Sequence, residues 1–399
     1  MPRVVPARHS PIDFVRPWPD DGPAGTLHPP HTMRRIIAVA GLLVAGFFFS
    51  AVQPEHAPDL RLLPPARTTL VAVGDILLGR SLGTLMEETG DYSMAFEHIE
   101  PQLQAADIAF ANLEGPFCGE PPYYGAGMIF RVRPAAIAGL VHAGIDILSV
   151  ANNHFANGGD ACMQFSLDLA HRHGIATAGA GMSYPDAHRP AILVRHGVRF
   201  AFLGYTYADR NDTPDATHGV IAGRNPERVR QDVAAARRVA DVVIVSLHDG
   251  TEYTARVAPE TVEFCHAAID AGAALVLGHH PHVPQRLEHY HDGWIFYSLG
   301  NFVFQQYTPP EVQTAIMARV TFAGARVVRV EATPLVIDWH STPRLATLQE
   351  GAPILRRIGL TEPLQWPPVD VSLARAWVTP DTPALQSARV LSASPQTAQ

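Results

Sequence analysis

Six apolar, strand-like runs in this chain each stop on a polar group suited to holding a metal or handling a phosphate, and no other feature limits its fold so tightly. Thr69–Gly74 leads into Asp75, and Ile108–Leu113, which contains Asn112, leads into Glu114. Ile147–Ala151 runs into Asn152, Asn153 and His154, and Val242–Leu247 into His248. Leu275–Gly278 is followed by His279, His280 and His282, and Ile295–Gly300 by Asn301. In open α/β sheets, ligands bind in the crevice outside the carboxyl ends of the strands. A single polar residue there is an ordinary loop residue. Six at equivalent positions point to one site assembled by the fold.

The segments between these runs read as helices. Asn225-Pro226-Glu227 has an N-cap and a proline at the first helical position, and the pattern runs to about Ala240. Pro259–Ala271 closes on Gly272, as a helix C-terminus does, and Cys162–His173 closes on Gly174. Ala135–Ala143 and Leu345–Leu360 complete the set. Alternation in Val327-Val328-Arg329-Val330-Glu331 marks Thr314–Val336 as antiparallel strands. The expected fold is therefore α/β, with mixed β-sheets flanked by α-helices.

The N-terminal part is different. Residues 1–32 are Pro-rich and aperiodic, and read as disordered or as preceding a true start at Met33. Met33-Arg34-Arg35 then precedes the uncharged run Ile36–Val52. Segment 33–52 reads first as an uncleaved transmembrane anchor, and second as a cleaved signal, because Ser50-Ala51-Val52 is a poor cleavage site. The two arginines place its N-terminal side in the cytoplasm, so the main domain lies outside. Residues 53–67 are a linker, 68–365 the domain, and 366–399 a disordered tail rich in Pro, Ala, Ser and Thr. A net charge of −8 without a basic block excludes a nucleic-acid surface. Cys118, Cys162 and Cys265 read as three separate small buried residues rather than as one disulfide of an exported protein.

Divalent metals are held by imidazole nitrogen and carboxylate oxygen, with carboxamide oxygen in support. His280-Pro281-His282 is the sharpest candidate, because two rings spaced by two in extended chain reach the same side. His279 reads as packing. His248 alone would be an ordinary core histidine, but with Asp75 and the histidine pair it reads as a ligand. Asn153 and His154 could form a simple turn; the chemical reading makes Asn153 a ligand and His154 a proton donor or charge stabiliser. Glu114 and Arg80 fit either a site or a salt bridge, and Asn301 reads as support.

The spelling of these motifs resembles the capsule-synthesis CapA family. The resemblance is carried by Val73-Gly74-Asp75 through Arg80, by Asn112-Leu113-Glu114-Gly115 and by Ala151-Asn152-Asn153-His154. It continues in His248-x-Gly250-x-Glu252-Tyr253, in Gly278-His279-His280-Pro281-His282-Val283 and in Tyr297-Ser298-Leu299-Gly300-Asn301-Phe302. It covers about Thr68 to Thr333.

That family looks like a branch of the calcineurin-like metallophosphatases. The resemblance implies one or two divalent ions (Mn, Fe, Zn or Mg) on Asp75, Asn153, His248, His280 and His282. Glu114 is the looser, bridging match, and His154 and Arg80 are the catalytic candidates. The chain also departs from the pattern. Leu77 stands where the superfamily has a histidine, so one metal loses a ligand. Asn157 replaces an acidic residue, and Asp249 replaces an aromatic.

The implied function is a membrane-anchored, extracytoplasmic protein of capsule or poly-γ-glutamate synthesis or export with a phosphoesterase-like site. Its partners would be the cytoplasmic membrane, capsule-synthesis membrane enzymes and an anionic polymer or phosphoester. Two alternatives stand beside it: a non-catalytic envelope-assembly subunit, and a metal-dependent amide hydrolase or transferase.

Overall fold

Burial on both faces makes the strands continuous apolar runs, and the sheets show why. The computed structural model describes residues 66–123, 128–360 and 376–378. One sheet holds β1 (Arg67–Ile76), β2 (Ile108–Leu113), β3 (Ile147–Ser149), β4 (Ala176–Ala178), β13 (Asn301–Val303), β14 (Thr314–Ala323), β15 (Arg326–Ile337), β16 (Pro343–Leu345) and β17 (Ala376–Val378). The other holds β6 (Ala191–Arg195), β7 (Val198–Thr206), β9 (Val242–His248), β10 (Leu275–His279), β11 (Leu287–Tyr290) and β12 (Gly293–Phe296). A short ribbon pairs β5 (Ala180–Gly181) with β8 (Val220–Ile221).

The central strands of each sheet run parallel. The first sheet is ordered β16-β15-β14-β1-β2-β3-β4, with β1 to β4 parallel and β14 to β16 antiparallel. The second is ordered β11-β12-β10-β9-β7-β6, and only its two outer pairs are antiparallel. Both sheets are mixed.

Alternate side chains of one strand serve different cores. Leu70 and Ala72 of β1 join Phe110, Phe202, Ile244 and Leu277 between the two sheets. Phe110 and Phe202 stack there with ring centroids 6.1 Å apart. Val71 and Val73 instead meet helices α1 (Arg80–Thr89), α3 (Ile137–Ala143) and α4 (Gly159–Arg172) through Met86, Leu140 and Met163. On the far side, Val243 and Val245 of β9 pack with Val229 and Val233 of α6 (Pro226–Ala236) and Phe264 of α7 (Pro259–Asp270). The layers are helix, sheet, sheet, helix. Short α2 (Glu100–Gln104) and α5 (Tyr184–His188) complete the flanks, and α8 (Leu348–Arg357) covers one end of the inter-sheet core with Ile354 and Leu355.

The expected α/β class with mixed sheets and flanking helices is observed, and the expected elements are present with shifted ends. The Asn225 side chain caps α6 by accepting from the N–H groups of Glu227 and Arg228. That helix stops at Ala236 instead of Ala240, because the chain must turn before β9 starts at Val242. The last helix starts at Leu348, where Thr347 and Glu350 form a capping box; Leu345 belongs to β16.

One reading is corrected. Cys118 and Cys162 form a disulfide although 44 residues apart, because the segment after β2 folds back over the start of α4; Cys265 is free and buried. Among the described residues no helix is long and apolar enough to cross a membrane. The anchor or signal reading of 33–52, the reading of 1–32 and most of the linker lie outside the described residues. So does the tail reading, apart from β17, which pairs with β15.

Candidate metal centre

The carboxyl ends of β1, β2, β3, β9 and β10 converge where the two sheets meet. Close backbone approach makes this geometry. A Cβ on Gly74 would collide with the Gly300 carbonyl oxygen, and one on Gly278 with the Tyr297 carbonyl oxygen. Glycine at these two positions lets the strand ends lie against each other. Asp75 then sits opposite both Asn112 and Asn301 in register, with its N–H donating to Gly300 O at 3.1 Å.

Asn112 joins the sheets. Its Nδ2 lies 2.9 Å from Asp75 Oδ1 and 3.3 Å from His248 Nδ1. Its Oδ1 accepts from Asn152 Nδ2 at 3.2 Å, which fixes the orientation of the Asn112 amide. His248 therefore accepts at Nδ1 and donates from Nε2 to Asn153 Oδ1 at 2.9 Å. Asn152 also donates to Leu113 O and accepts from the His154 N–H, so it holds the loop after β3 in place.

The histidine turn closes the site from the second sheet. His280 and His282 have φ of 93° and 58°, left-handed values rarely tolerated outside glycine and held only by firm surroundings. The His280 N–H donates to Asp75 Oδ2 at 3.3 Å, and His282 Nδ1 lies 2.8 Å from Asn301 Oδ1 and 3.5 Å from Asp75 Oδ2. His282 Nε2 lies 3.8 Å from Glu114 Oε1, and His154 Nε2 lies 3.9 Å from the same oxygen. His279 Nδ1 is 3.1 Å from Asp75 Oδ1, outside hydrogen-bond geometry, and its ring packs on Phe110.

Asp75, Glu114, Asn112 and His248 are fully buried. Burial opposes ionisation of Asp75, but the imidazoles of His279, His282 and His248 outweigh it and hold its pKa well below the usual range. Burial raises the Glu114 carboxyl, against the pull of His282. Burial alone would depress His282, yet Glu114 and Asp75 reverse the sign and raise it. Burial and the neighbouring histidines depress His248 well below the usual range and His280 to about 4, so both rings favour the neutral form that a metal ligand needs. His280 Nδ1 is unpartnered, whereas His248 Nδ1 is shared with the Asn112 amide.

Glu114 is the decisive residue. Neither of its buried oxygens has a hydrogen-bond partner among the described residues, and His280 Nδ1 is in the same condition. A buried carboxylate without partners is expensive unless a cation or acid meets it. Ligand atoms of Asp75, Glu114 and His248 lie within 4.8 Å of one another, as do those of Glu252, His280 and His282. Mixed carboxylate and neutral imidazole donors suit a divalent metal. The donor set fits one.

Arg80 and His154 belong to one stack at the rim. The Arg80 guanidinium lies 4.5 Å over the Phe130 ring, whose centroid is 3.9 Å from that of His154. Arg80 also donates to Gln305 O at 2.9 Å. Burial lowers the pKa of His154, and its Nδ1 lies 2.9 Å from Asn157 Oδ1.

The profile of the family described as Bacterial capsule synthesis protein PGA_cap matches residues 69–306, more than half of the chain and nearly all the site-bearing strands. The chain belongs to that family. It is 30% identical over 292 residues to the capsule biosynthesis protein CapA of Bacillus anthracis, covering 68% of this chain and 69% of that one. It is 31% identical over 279 residues to the PGA biosynthesis protein CapA of Bacillus subtilis (strain 168), covering 68% and 72%. Among solved structures, TT1561 of Thermus thermophilus matches at 10% identity over 65% of this chain and all of that one, with a TM-score of 0.35. That score is too low to assign a fold.

In this PGA_cap chain every strand-end group singled out from sequence lies in or beside one site. Three participants were assigned no role from the sequence. Glu252 and Asn112 stand inside the quoted motifs, but one sits in a loop and the other within its strand, and Phe130 is far from every motif. Asp249, unexpected in its place, is bound by Arg224 Nη1 at 2.6 Å and by the Thr261 hydroxyl at 2.6 Å, so it anchors the loop after β9.

Proposed function

We propose that this chain is a CapA-type protein of capsule or poly-γ-glutamate synthesis or export whose strand-end crevice is a metal-dependent phosphoesterase site. Asp75, Glu114, Asn153, His248, His280 and His282 would hold one or two divalent ions, Mn, Fe, Zn or Mg. When bound, such an ion supplies Lewis-acid polarisation of a phosphoryl oxygen and acidifies water. The observation that carries this reading is the pair of unpartnered, buried Glu114 oxygens, of which Oε1 lies 3.9 Å from His154 Nε2 and 3.8 Å from His282 Nε2.

The chain's own residues supply orientation and proton movement. Asn157 Oδ1 already accepts the Phe130 N–H at 2.7 Å, so His154 must donate to it from Nδ1. The other nitrogen, Nε2, then faces the crevice and is the atom that takes up or delivers a proton. Phe130 holds the imidazole plane, and Arg80 brings positive charge to the rim, where an anionic substrate would enter. The domain would act outside the cytoplasmic membrane, beside capsule-synthesis membrane enzymes.

The test is turnover by the purified full chain, stripped and reloaded singly with Mn, Zn, Fe or Mg, across a panel of phosphomonoesters and phosphodiesters. Metal-dependent hydrolysis of at least one class is expected. No turnover with any metal, in protein that retains it, would overturn the catalytic reading and leave an assembly subunit. Release of glutamate oligomers from poly-γ-glutamate without phosphoester turnover would replace it with amide chemistry.

A further inference from the structure

The loop after β9 bears Glu252, half-buried, with its carboxylate within 4.8 Å of ligand nitrogens of His280 and His282. Its placement is built from both ends. Asp249 is clamped by Arg224 and Thr261 at the start. At the far end the Tyr253 N–H donates to Pro281 O at 2.9 Å, tying the loop to the turn between the two histidines. Gln306 Nε2, in the segment after β13, donates to the Tyr253 hydroxyl at 2.8 Å. Tyr253 itself has φ of 63°, so left-handed backbone is kept on both sides of this contact.

We infer that Glu252, His280 and His282 form a second divalent-cation site at the mouth of the crevice, contiguous with the inner group of Asp75, Glu114 and His248. This rests on the metal-centre reading given above and deepens it. The His280 ring provides a second observation, since its Nδ1 is buried without a hydrogen-bond partner in a residue only 4% exposed. The two groups abut, because His282 lies 3.5 Å from Asp75 Oδ2 and 3.8 Å from Glu114 Oε1. Leu77 offers no donor: it is buried, and its side chain packs beside Gly79 and Gly115. The carboxylate of the outer ion comes instead from the loop after β9. A half-buried carboxylate also leaves the outer ion open to solvent and substrate, whereas the inner group is closed.

The experiment is metal counting on the full chain. Chelator-stripped protein is titrated with Mn(II) alone by calorimetry, and bound manganese is measured by elemental analysis after gel filtration. The wild type should bind two ions per chain. Glu252→Gln, which keeps shape and removes charge, should bind one tightly and weaken the other at least ~10-fold, since even loss of a group supporting a ligand costs about 10–100-fold. Glu252→Asp should retain two. Two ions at wild-type affinity in Glu252→Gln would overturn the outer site. One ion in both proteins would also overturn it while leaving the metal centre standing. No ion in the wild type would take down the metal centre itself. An unchanged far-ultraviolet spectrum and melting curve of the stripped variant show that the loss is not misfolding.

Discussion

Because the Phe130 N–H donates to Asn157 Oδ1, that oxygen is fixed as an acceptor, and the proton of neutral His154 is fixed on Nδ1. Asn157 orients the imidazole without lending it negative charge, and burial then keeps the His154 pKa below its ordinary value. If His154 delivers a proton to the leaving group, activity falls as pH rises through that depressed pKa. Asn157→Asp keeps the acceptor oxygen and adds a charge that favours imidazolium. The basic limb of the pH–rate profile should therefore move to higher pH, with metal content unchanged. His154→Ala should lower kcat by about 10²–10⁴-fold, the range of general acid–base catalysis. A profile that does not move in Asn157→Asp would remove His154 from proton transfer.

At the scale of elements, a buried cluster that shares none of the metal-centre residues ties α5 to α6 and to the loop before β8. His188 Nδ1 lies 2.8 Å from Asp232 Oδ2, and its Nε2 lies 2.7 Å from Asp212 Oδ1. Asp232 also accepts from the Tyr205 hydroxyl at 2.9 Å and pairs with Arg228 at 2.8 Å. Burial opposes a charged His188, but its two carboxylates prevail and its pKa is raised above 6.5; Asp212, against burial, is lowered below 3.8 by His188 and the Gly223 N–H. A raised histidine pKa contributes stability that is full below about pH 6.5 and is lost as pH rises through the raised value. The depressed Asp212 contributes above pH 3.8 and loses its share as pH falls through the lowered value. Urea melts should therefore show this contribution intact between those ordinary values and declining above pH 6.5. His188→Asn should remove that dependence and cost about 3 kcal/mol in mildly acid buffer, the low end for breaking a buried pair, because Asp232 keeps two other partners. Equal pH dependence in both proteins would refute it.

The same scale explains what the sequence could and could not reveal. Strands such as Ile108–Leu113 and Val242–His248 were readable because residues covered on both faces are mostly apolar, with the polar exceptions gathered toward the carboxyl ends. Their division between two sheets was not, since β1 and β14 pair across a long stretch of intervening chain and periodicity carries no such information. Asp75, His248, His280 and His282 were readable because each ends an apolar run. Glu252 follows no strand directly and is brought to the site by the loop anchors at Asp249 and by the Tyr253–Pro281 backbone bond. The Cys118–Cys162 pairing was hidden for a similar reason, as it depends on a loop path rather than on spacing.

For the whole molecule, the metal centre is also a joint. Asp75 and Glu114 come from the first sheet, and His248, His280 and His282 from the second. Between the sheets the core is apolar and has little directional preference, while the strand-end crevice concentrates buried polar groups that are incompletely paired without a cation. A bound ion would satisfy Glu114 and hold the two sheets in register at once. Ligand that binds only the folded state stabilises by about 2.7 kcal/mol at one hundred times its Kd. Thermal melts of the full chain should therefore rise by several degrees on adding Mn(II) at that excess, and chelation should reverse the rise. His248→Ala, which removes an inner donor, should abolish most of the increase, whereas Glu252→Gln should leave the larger part. An equal rise in His248→Ala would mean that the stabilising ion sits elsewhere, and no rise in the wild type would mean that the two sheets are joined by packing alone.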